Sequence, residues 1–312
     1  MSQPDAVNIE LQQLSGVVFS KGHGTGNDFV LIADPDGRHE FSARATAAIC
    51  DRHLGIGADG LIRAVKSSQL PEGRELLSAA PDAEWFMDYR NSDGSIAQMC
   101  GNGVRVFVRF LLEEGLLTLQ QGEVLPIGTR AGVKLVERTA TGFAVDMGVW
   151  NFSYPELVEE RGVDSLVTVH FLEVARPALS INTGNPHTVV ALAHRTELDE
   201  LDLSRAPGVV PVPEEGSNVE FALPEDPLVS DGVATISMRV YERGSGETQS
   251  CGTGACAAAL ASRFWAGPGA PDDWRVKVPG GTVQVSFFIA DDGAEHIRLS
   301  GPAVMVAKGS FI

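Results

Sequence analysis

The chain repeats itself. Thr25-Gly26-Asn27 recurs as Thr183-Gly184-Asn185, and Cys100-Gly101-Asn102-Gly103 recurs, in the same order, as Cys251-Gly252-Thr253-Gly254. Upstream of the two cysteines, Met87 and Met238 both lie 13 positions away, Asn91 and Glu242 nine, and Gln98 and Gln249 two. Matching order and matching offsets point to an internal duplication, which restricts the fold to two similar units that share one architecture. A length of 312 residues agrees with two domains. Cys100 follows Asn27 by 73 positions and Cys251 follows Asn185 by 66, so the first half carries about seven extra residues. The polar stretch Lys66 to Glu84, with Pro71, Gly73 and Pro81, is expected to hold them as a surface loop.

Each half has a Gly-rich entry followed by a β-branched run, Phe29 to Ala33 and Thr188 to Leu192. Strand-like alternation follows each cysteine segment, at Val133 to Val136, Phe143 to Met147, Val283 to Phe287 and Ile297 to Leu299. The predicted fold is mixed α/β: two similar lobes, residues 1–150 carrying Cys100 and residues 151–302 carrying Cys251, meeting near Trp150 to Pro155 around a cleft.

Both cysteines precede an apolar helix pattern. Val104 to Leu112 ends at Gly115, and Ala255 to Ala261 runs toward Gly267-Pro268. Helices apolar around most of their circumference are buried inside a domain, and glycine closes each at its C-terminal end. Each cysteine is therefore expected at the N-terminus of a buried helix. There the helix dipole favours thiolate, and unpaired N–H groups can hold a carboxylate. Two such helix ends facing one cleft would clamp one α-carboxylate and set a sulfur on each face of the α-carbon. One sulfur would act as base and the other, still protonated, as acid. A lone cysteine in a Gly-rich turn reads as packing. Two at equivalent points of a duplicated chain do not. Cys50, in the Ala-rich helix Ser42 to His53, and Cys256, inside the second cysteine helix, read as packing residues.

Composition narrows the partners. The formal net charge is −17, from 24 Lys and Arg against 41 Asp and Glu. That field repels nucleic acid and anionic membranes. No apolar run is long enough to span a bilayer, and the polar Met1 to Gln13 lacks a signal-peptide pattern. A cytoplasmic protein with four reduced cysteines is expected.

At these motifs the chain resembles the diaminopimelate epimerase family. The likeness runs through Lys21-Gly22-His23-Gly24-Thr25-Gly26-Asn27-Asp28-Phe29, Asp51 to Asp59, and Asn91-Ser92-Asp93-Gly94-Ser95 to Gly103. It continues through Gly184-Asn185-Pro186-His187 and Tyr241-Glu242-Arg243 to Gly254. The resemblance implies two lobes, each a curled mixed sheet around a central helix, with the last strand (about residues 303–312) returning to the first lobe. It implies interconversion of LL- and meso-diaminopimelate without pyridoxal phosphate or metal, by a homodimer, with Cys100 and Cys251 as the acid/base pair. Asn27, Asn91, Asn185, Asn218 and Arg243 would bind the carboxylates and ammonium groups of the substrate. Glu242 would contact substrate and, with His187, tune the thiols. The backbone N–H groups of Gly101, Asn102, Gly252 and Thr253 would hold the reacting carboxylate. Neutral amides suit a substrate with two charges of each sign, and Arg243 can pair bidentately with a carboxylate. Any single Asn here other than the repeat equivalents Asn27 and Asn185 also reads as a turn residue, and His187 as a structural histidine. Many family members carry Gln at the position of Gly60, the repeat equivalent of Asn218, so a side-chain contact there is not carried over.

Other readings are weaker. Gly55-Ile56-Gly57-Ala58-Asp59-Gly60 fits GxGxxG, but a helix precedes it and a strand follows, the reverse of a dinucleotide fingerprint. A proline-racemase-like enzyme shares the two-cysteine logic, yet its pattern has His where this chain has Asn102. A thiol redox protein would need no substrate-dependent proton exchange. Four cysteines without a CxxC pair speak against a zinc module.

Overall fold

A computed structural model describes the chain except for Met1, Ser2, Phe171 and Glu173. It divides into two compact units, Met1–Val145 with Pro302–Ile312, and Asp146–Gly301. The division falls at 145/146, a few residues before Trp150 and within a strand that begins at Phe143.

The strands in chain order are β1 (Val18–Gly24), β2 (Asn27–Ala33), β3 (Gly60–Lys66), β4 (Trp85–Asn91), β5 (Val124–Thr129), β6 (Gly132–Arg138) and β7 (Phe143–Gly148). There follow β8 (Asn151–Phe152), β9 (Ser165–Thr168), β10 (Arg176–Asn182), β11 (Pro186–Ala191), β12 (Gly208–Val210), β13 (Asn218–Ser230), β14 (Val233–Glu242) and β15 (Gly246–Glu247). The last are β16 (Asp273–Val278), β17 (Gly281–Ile289), β18 (Glu295–Gly301) and β19 (Val304–Ser310). The helices are α1 (Gln3–Gln12), α2 (Ala43–Cys50), α3 (Pro71–Leu77), α4 (Gly101–Glu113), α5 (Pro155–Arg161), α6 (Arg195–Asp199) and α7 (Gly252–Ala266).

The two units share one pairing scheme. In the first, β1–β2 is antiparallel, β2–β3 parallel, β3–β4 antiparallel, β4–β5 parallel, and β5–β6 and β6–β7 antiparallel. In the second, β10–β11, β11–β13, β13–β14, β14–β16, β16–β17 and β17–β18 repeat that series in order. β19 pairs antiparallel with β1, as β9 does with β10. Register matches too: Phe29 stands beside Gly60 in the first parallel pair and His187 beside Asn218 in the second. The duplication read from the motifs is therefore a duplication of topology.

A buried helix forms the centre of each unit. α4 packs on β19, β1, β2, β3 and β6, and α7 on strands from β10 to β18. One helix reaches strands so far apart in sheet order only where the sheet curls around it. Val104, Val106, Phe107, Val108 and Leu111 of α4 are inaccessible to solvent, as are Ala255 and Ala257 to Ala259 of α7. Full burial of each large side chain contributes ~1.5–3 kcal/mol. The short alanines of α7 let surrounding strands approach closely. Gly115 and Gly267, both at positive φ, end the two helices.

Two expectations are corrected. Lys66 to Glu84 is not a plain surface loop: Ser67–Gln69 forms a 3-10 turn and Pro71–Leu77 the helix α3. Pro71 is well suited to the first helical turn, where its missing N–H has no partner to lose. Gly73 is buried because its α-carbon lies against the Ser67 backbone. The helix expected over Ser42 to His53 is capped by Ser42 but stops at Cys50, where the Asp51 carboxylate accepts from the His53 and Leu54 N–H groups. This local Asx-type turn competes with another helical turn.

Candidate active site

Cys100 is the N-cap of α4, in extended backbone, and its sulfur accepts from Gly103 N at 3.3 Å. It thus occupies the place a Ser or Asp oxygen usually takes at a helix start. A Cβ at Gly103 would lie 3.2 Å from Cys100 Cβ, a contact that a small shift relieves. Asn27, the first residue of β2, brings its Oδ1 to 3.5 Å from the sulfur, which donates to it. Asn102, buried in the first turn of α4, donates from Nδ2 to the same Oδ1 at 3.3 Å.

Cys251 repeats this arrangement as N-cap of α7, accepting from Gly254 N at 3.4 Å. Its surroundings are acidic where those of Cys100 are amide-rich. Burial first, then the Glu242 and Glu220 carboxylates, push the Cys251 thiol well above the ordinary thiol range. The expectation that a helix N-terminus makes this group a ready thiolate is therefore corrected. Desolvation and two nearby carboxylates outweigh the dipole, and Cys251 rests as a thiol. Glu242 hydrogen-bonds with Cys251 and accepts from the Thr248 hydroxyl, yet burial still raises its own carboxyl above the usual range.

His187, buried on β11, places Nδ1 2.7 Å from Glu220 Oε1 and Nε2 3.0 Å from Asn185 Oδ1. Glu220 on β13 is fully buried, and its second oxygen, Oε2, has no hydrogen-bond partner among the described residues. A Cβ on Gly254 would come within 2.6 Å of Glu220 Oε1. The equivalent spot in the first unit holds Ile62, whose Cδ1 lies 3.4 Å from a Cβ on Gly103. The acid–imidazole pair thus belongs to the second unit alone, where Ile62 and Phe29 of the first are replaced by Glu220 and His187.

Other expected site residues are placed as follows. Asn218 Oδ1 accepts from Arg243 N at 2.9 Å, tying the start of β13 to the end of β14. The exposed Arg243 guanidinium donates to Glu215 O, and its stem packs over Gly216. Asn91 is exposed and holds its own turn, donating from Nδ2 to Ser95 Oγ at 3.0 Å. Gly101 and Asn102, and Gly252 and Thr253, form the first turns of α4 and α7. At Gly60 a Cβ would meet Tyr89 Cε2 at 2.5 Å and Arg90 O at 2.6 Å, so the Tyr89 ring fills the space of the missing side chain. Cys256 is inaccessible inside α7, and burial pushes the Cys50 thiol up to about 12.

Sequence reasoning missed Glu220 and Asp59. Glu220 lies between the core residues Val219 and Phe221, 35 positions after Asn185, where Ile62 lies 35 after Asn27; superimposing the repeats exposes it as a charge replacing an apolar residue. Asp59 lies in the Gly-rich segment set aside as a dinucleotide decoy. Its Oδ2 accepts from Asn27 Nδ2 at 2.7 Å. Among the described residues no group of three or more His, Cys, Asp or Glu side chains is arranged to hold a metal ion, and no helix is long and apolar enough to cross a membrane.

Comparison with known proteins agrees with this geometry. The family model described as diaminopimelate epimerase matches residues 19–153 and 179–306. The diaminopimelate epimerase of Streptomyces coelicolor is 44% identical over 303 residues, covering 95% of both chains. That of Thermobifida fusca is 45% identical over 295 residues, covering 93% of this chain and 96% of the relative. Among solved structures, a phenazine biosynthesis protein of the PhzF family from Bacillus anthracis superposes with a TM-score of 0.64 at 16% identity, covering 95% of this chain and 99% of that one. A hydroxyproline epimerase from Agrobacterium vitis gives 0.55 at 14% identity, covering 94% and 90%. At such identities the structural likeness is one of fold. The family match and the relatives, over nearly the whole chain, show that this protein belongs to the diaminopimelate epimerase family.

Proposed function

We propose that the protein interconverts LL- and meso-2,6-diaminopimelate by proton transfer at one α-carbon, with Cys100 and Cys251 as the acid/base pair and no cofactor. The observation that carries this reading is the placement of two cysteines as N-caps of repeat-equivalent buried helices. In one direction the Cys100 sulfur, as thiolate, takes the α-proton. The Cα–H bond breaks, an S–H bond forms, and the electron pair moves into the adjacent carboxylate. The Cys251 thiol then gives its proton to the opposite face of the same carbon, and the other direction exchanges the roles. Cys251, held as a thiol, is suited to the acid role in the first of these.

The N–H groups of Gly101, Asn102, Gly252 and Thr253 would receive the reacting carboxylate, where negative charge grows as the proton leaves. Asn27, Asn91, Asn185, Asn218 and Arg243, with Glu242, would bind the remaining carboxylate and ammonium groups. His187, paired with Glu220, would flank the reacting centre and tune the Cys251 thiol. Family kinship supports a homodimer acting in the cytoplasm on a free small molecule.

The test is incubation of the metal-free, reduced protein with LL-diaminopimelate and chiral separation of the products. Formation of the meso isomer is expected. A strict requirement for pyridoxal phosphate, or no conversion by reduced protein, overturns the proposal.

A further inference from the structure

The amide of Asn27 has a direction that its neighbours dictate. At one end, Asp59 Oδ2 lies 2.7 Å from Asn27 Nδ2 and also accepts from Asp28 N at 3.1 Å. A carboxylate can only accept, so the NH2 of Asn27 must face Asp59. At the other end, the buried Arg105 donates from its guanidinium to Asn102 Oδ1 at 2.8 Å and to Gly101 O at 3.1 Å. A guanidinium can only donate, so the NH2 of Asn102 must point away from it, toward Asn27 Oδ1 at 3.3 Å. Two charged groups of opposite sign thus fix, independently, the same sense along Asp59, Asn27, Asn102 and Arg105.

The Asn27 carbonyl oxygen is therefore the atom presented to the Cys100 sulfur. An oxygen there accepts from S–H and disfavours the thiolate, whereas a flipped amide would offer N–H and favour it. Asp59 is in turn held by Arg52, at 2.6 Å from Oδ1. Arg52 and Lys21 also pair with Asp28. Burial opposes ionisation of Asp28, but hydrogen bonds from Arg52 and Lys21 hold its carboxyl at about 2, so Asp28 stays charged throughout the neutral range. The charged groups that hold the Asp59–Asn27–Asn102–Arg105 series are Asp59, Arg52 and Arg105, with Asp28 and Lys21 paired beside them.

We propose that Asp59 is a positioning residue, which turns the Asn27 amide so that its carbonyl, not its NH2, meets Cys100 and opposes premature ionisation of that thiol. The role deepens the epimerase reading and rests on it for any effect on turnover. Its effect on the thiol needs no substrate.

The experiment is residue-resolved iodoacetamide alkylation of the full-length, reduced protein, read by mass spectrometry between pH 6 and 9, alongside kcat and KM. Asp59→Ala removes the shorter of the two hydrogen bonds that orient the Asn27 amide, 2.7 Å against 3.3 Å from Asn102, and Cys100 alkylation at pH 7 is expected to rise about threefold to tenfold, the range of one neutral hydrogen bond. The rate at Cys256, enclosed in α7 of the other unit, should stay as in the parent, and kcat should fall more than KM changes. Asp59→Asn removes the charge but keeps an acceptor for Asn27, so alkylation and kcat should return to within about twofold of the parent. Asn27→Ala should reproduce the rise at Cys100, and adding Asp59→Ala to it should give no further increase; this pair carries the test if Asp59→Ala alone does not fold. An unchanged Cys100 rate in folded Asp59→Ala overturns the proposal. So does an equal rise in Asp59→Asn, which would assign the effect to charge alone, or a parallel rise at Cys256, which would mark general loosening. Alkylation that behaves as expected in a protein that does not act on diaminopimelate would refute the epimerase reading and leave the positioning role standing.

Discussion

Replacing Gly254 by alanine tests the asymmetry between the two cysteine helices, because Gly103→Ala makes the same change at the equivalent place. Both glycines sit in the first turn of a helix, where alanine gains up to ~1 kcal/mol over glycine. In the first unit the new methyl group would meet Cys100 Cβ at 3.2 Å and Ile62 Cδ1 at 3.4 Å, contacts that a few tenths of an ångström relieve. In the second it would lie 2.6 Å from Glu220 Oε1, the oxygen that holds His187 Nδ1 at 2.7 Å. Glu220 is fully enclosed and must withdraw, parting from His187. Leaving a buried polar group without its hydrogen-bond partner costs ~1–3 kcal/mol. After the helix gain, Gly254→Ala should be less stable than the parent by ~1–2 kcal/mol, while Gly103→Ala should be as stable as the parent or up to ~1 kcal/mol more stable. Urea unfolding followed by circular dichroism measures both, and kcat/KM should fall at least tenfold for Gly254→Ala. Equal stability and equal activity of the two variants would refute the Glu220–His187 contact as a supporting element of the site.

Cys100→Ala and Cys251→Ala should each reduce epimerisation by several orders of magnitude, and Cys50→Ala and Cys256→Ala should retain most of it; a steady-state assay separates the four. Arg243→Lys should raise KM strongly although charge is kept, because lysine cannot make the planar two-bond contact with a carboxylate; unchanged constants would place Arg243 outside the site. Burial and the two carboxylates raise the Cys251 thiol, so its alkylation should stay slow through neutral pH and climb only above the ordinary thiol range. Glu242→Gln removes one negative charge and should move that climb to lower pH. The linked stability has the same sign: a group raised in the folded state favours folding at low pH, and that contribution is lost as pH rises through its folded value.

The duplication, the two buried helices and fewer than half of the described strands were legible because periodicity and glycine punctuation are local signals. The α3 helix was not, because Pro71 and Gly73 read as loop residues until the Ser67 backbone that Gly73 lies against is known. The charge state of Cys251 was not legible either. It depends on Glu220 and Glu242, brought beside it by strand register from 31 and nine positions upstream. Asn27 and Asn185 were identified as equivalent, but the direction of the Asn27 amide depends on Asp59, 32 residues downstream across a parallel strand pair. What escaped sequence reasoning is thus mainly electrostatic: which charges tertiary structure gathers around groups whose positions the motifs already mark.

In the proposed mechanism two different sulfurs serve the two faces of one carbon. It is tested most directly by a single turnover of LL-diaminopimelate with excess enzyme in deuterium oxide, with mass analysis of product and residual substrate. The two-base account predicts meso product carrying one deuterium at the epimerised carbon from its first appearance, because the donating thiol has exchanged with solvent, while unreacted substrate keeps its hydrogen. Meso product that retains the substrate's own hydrogen would show a single group returning the same proton, and would contradict the account.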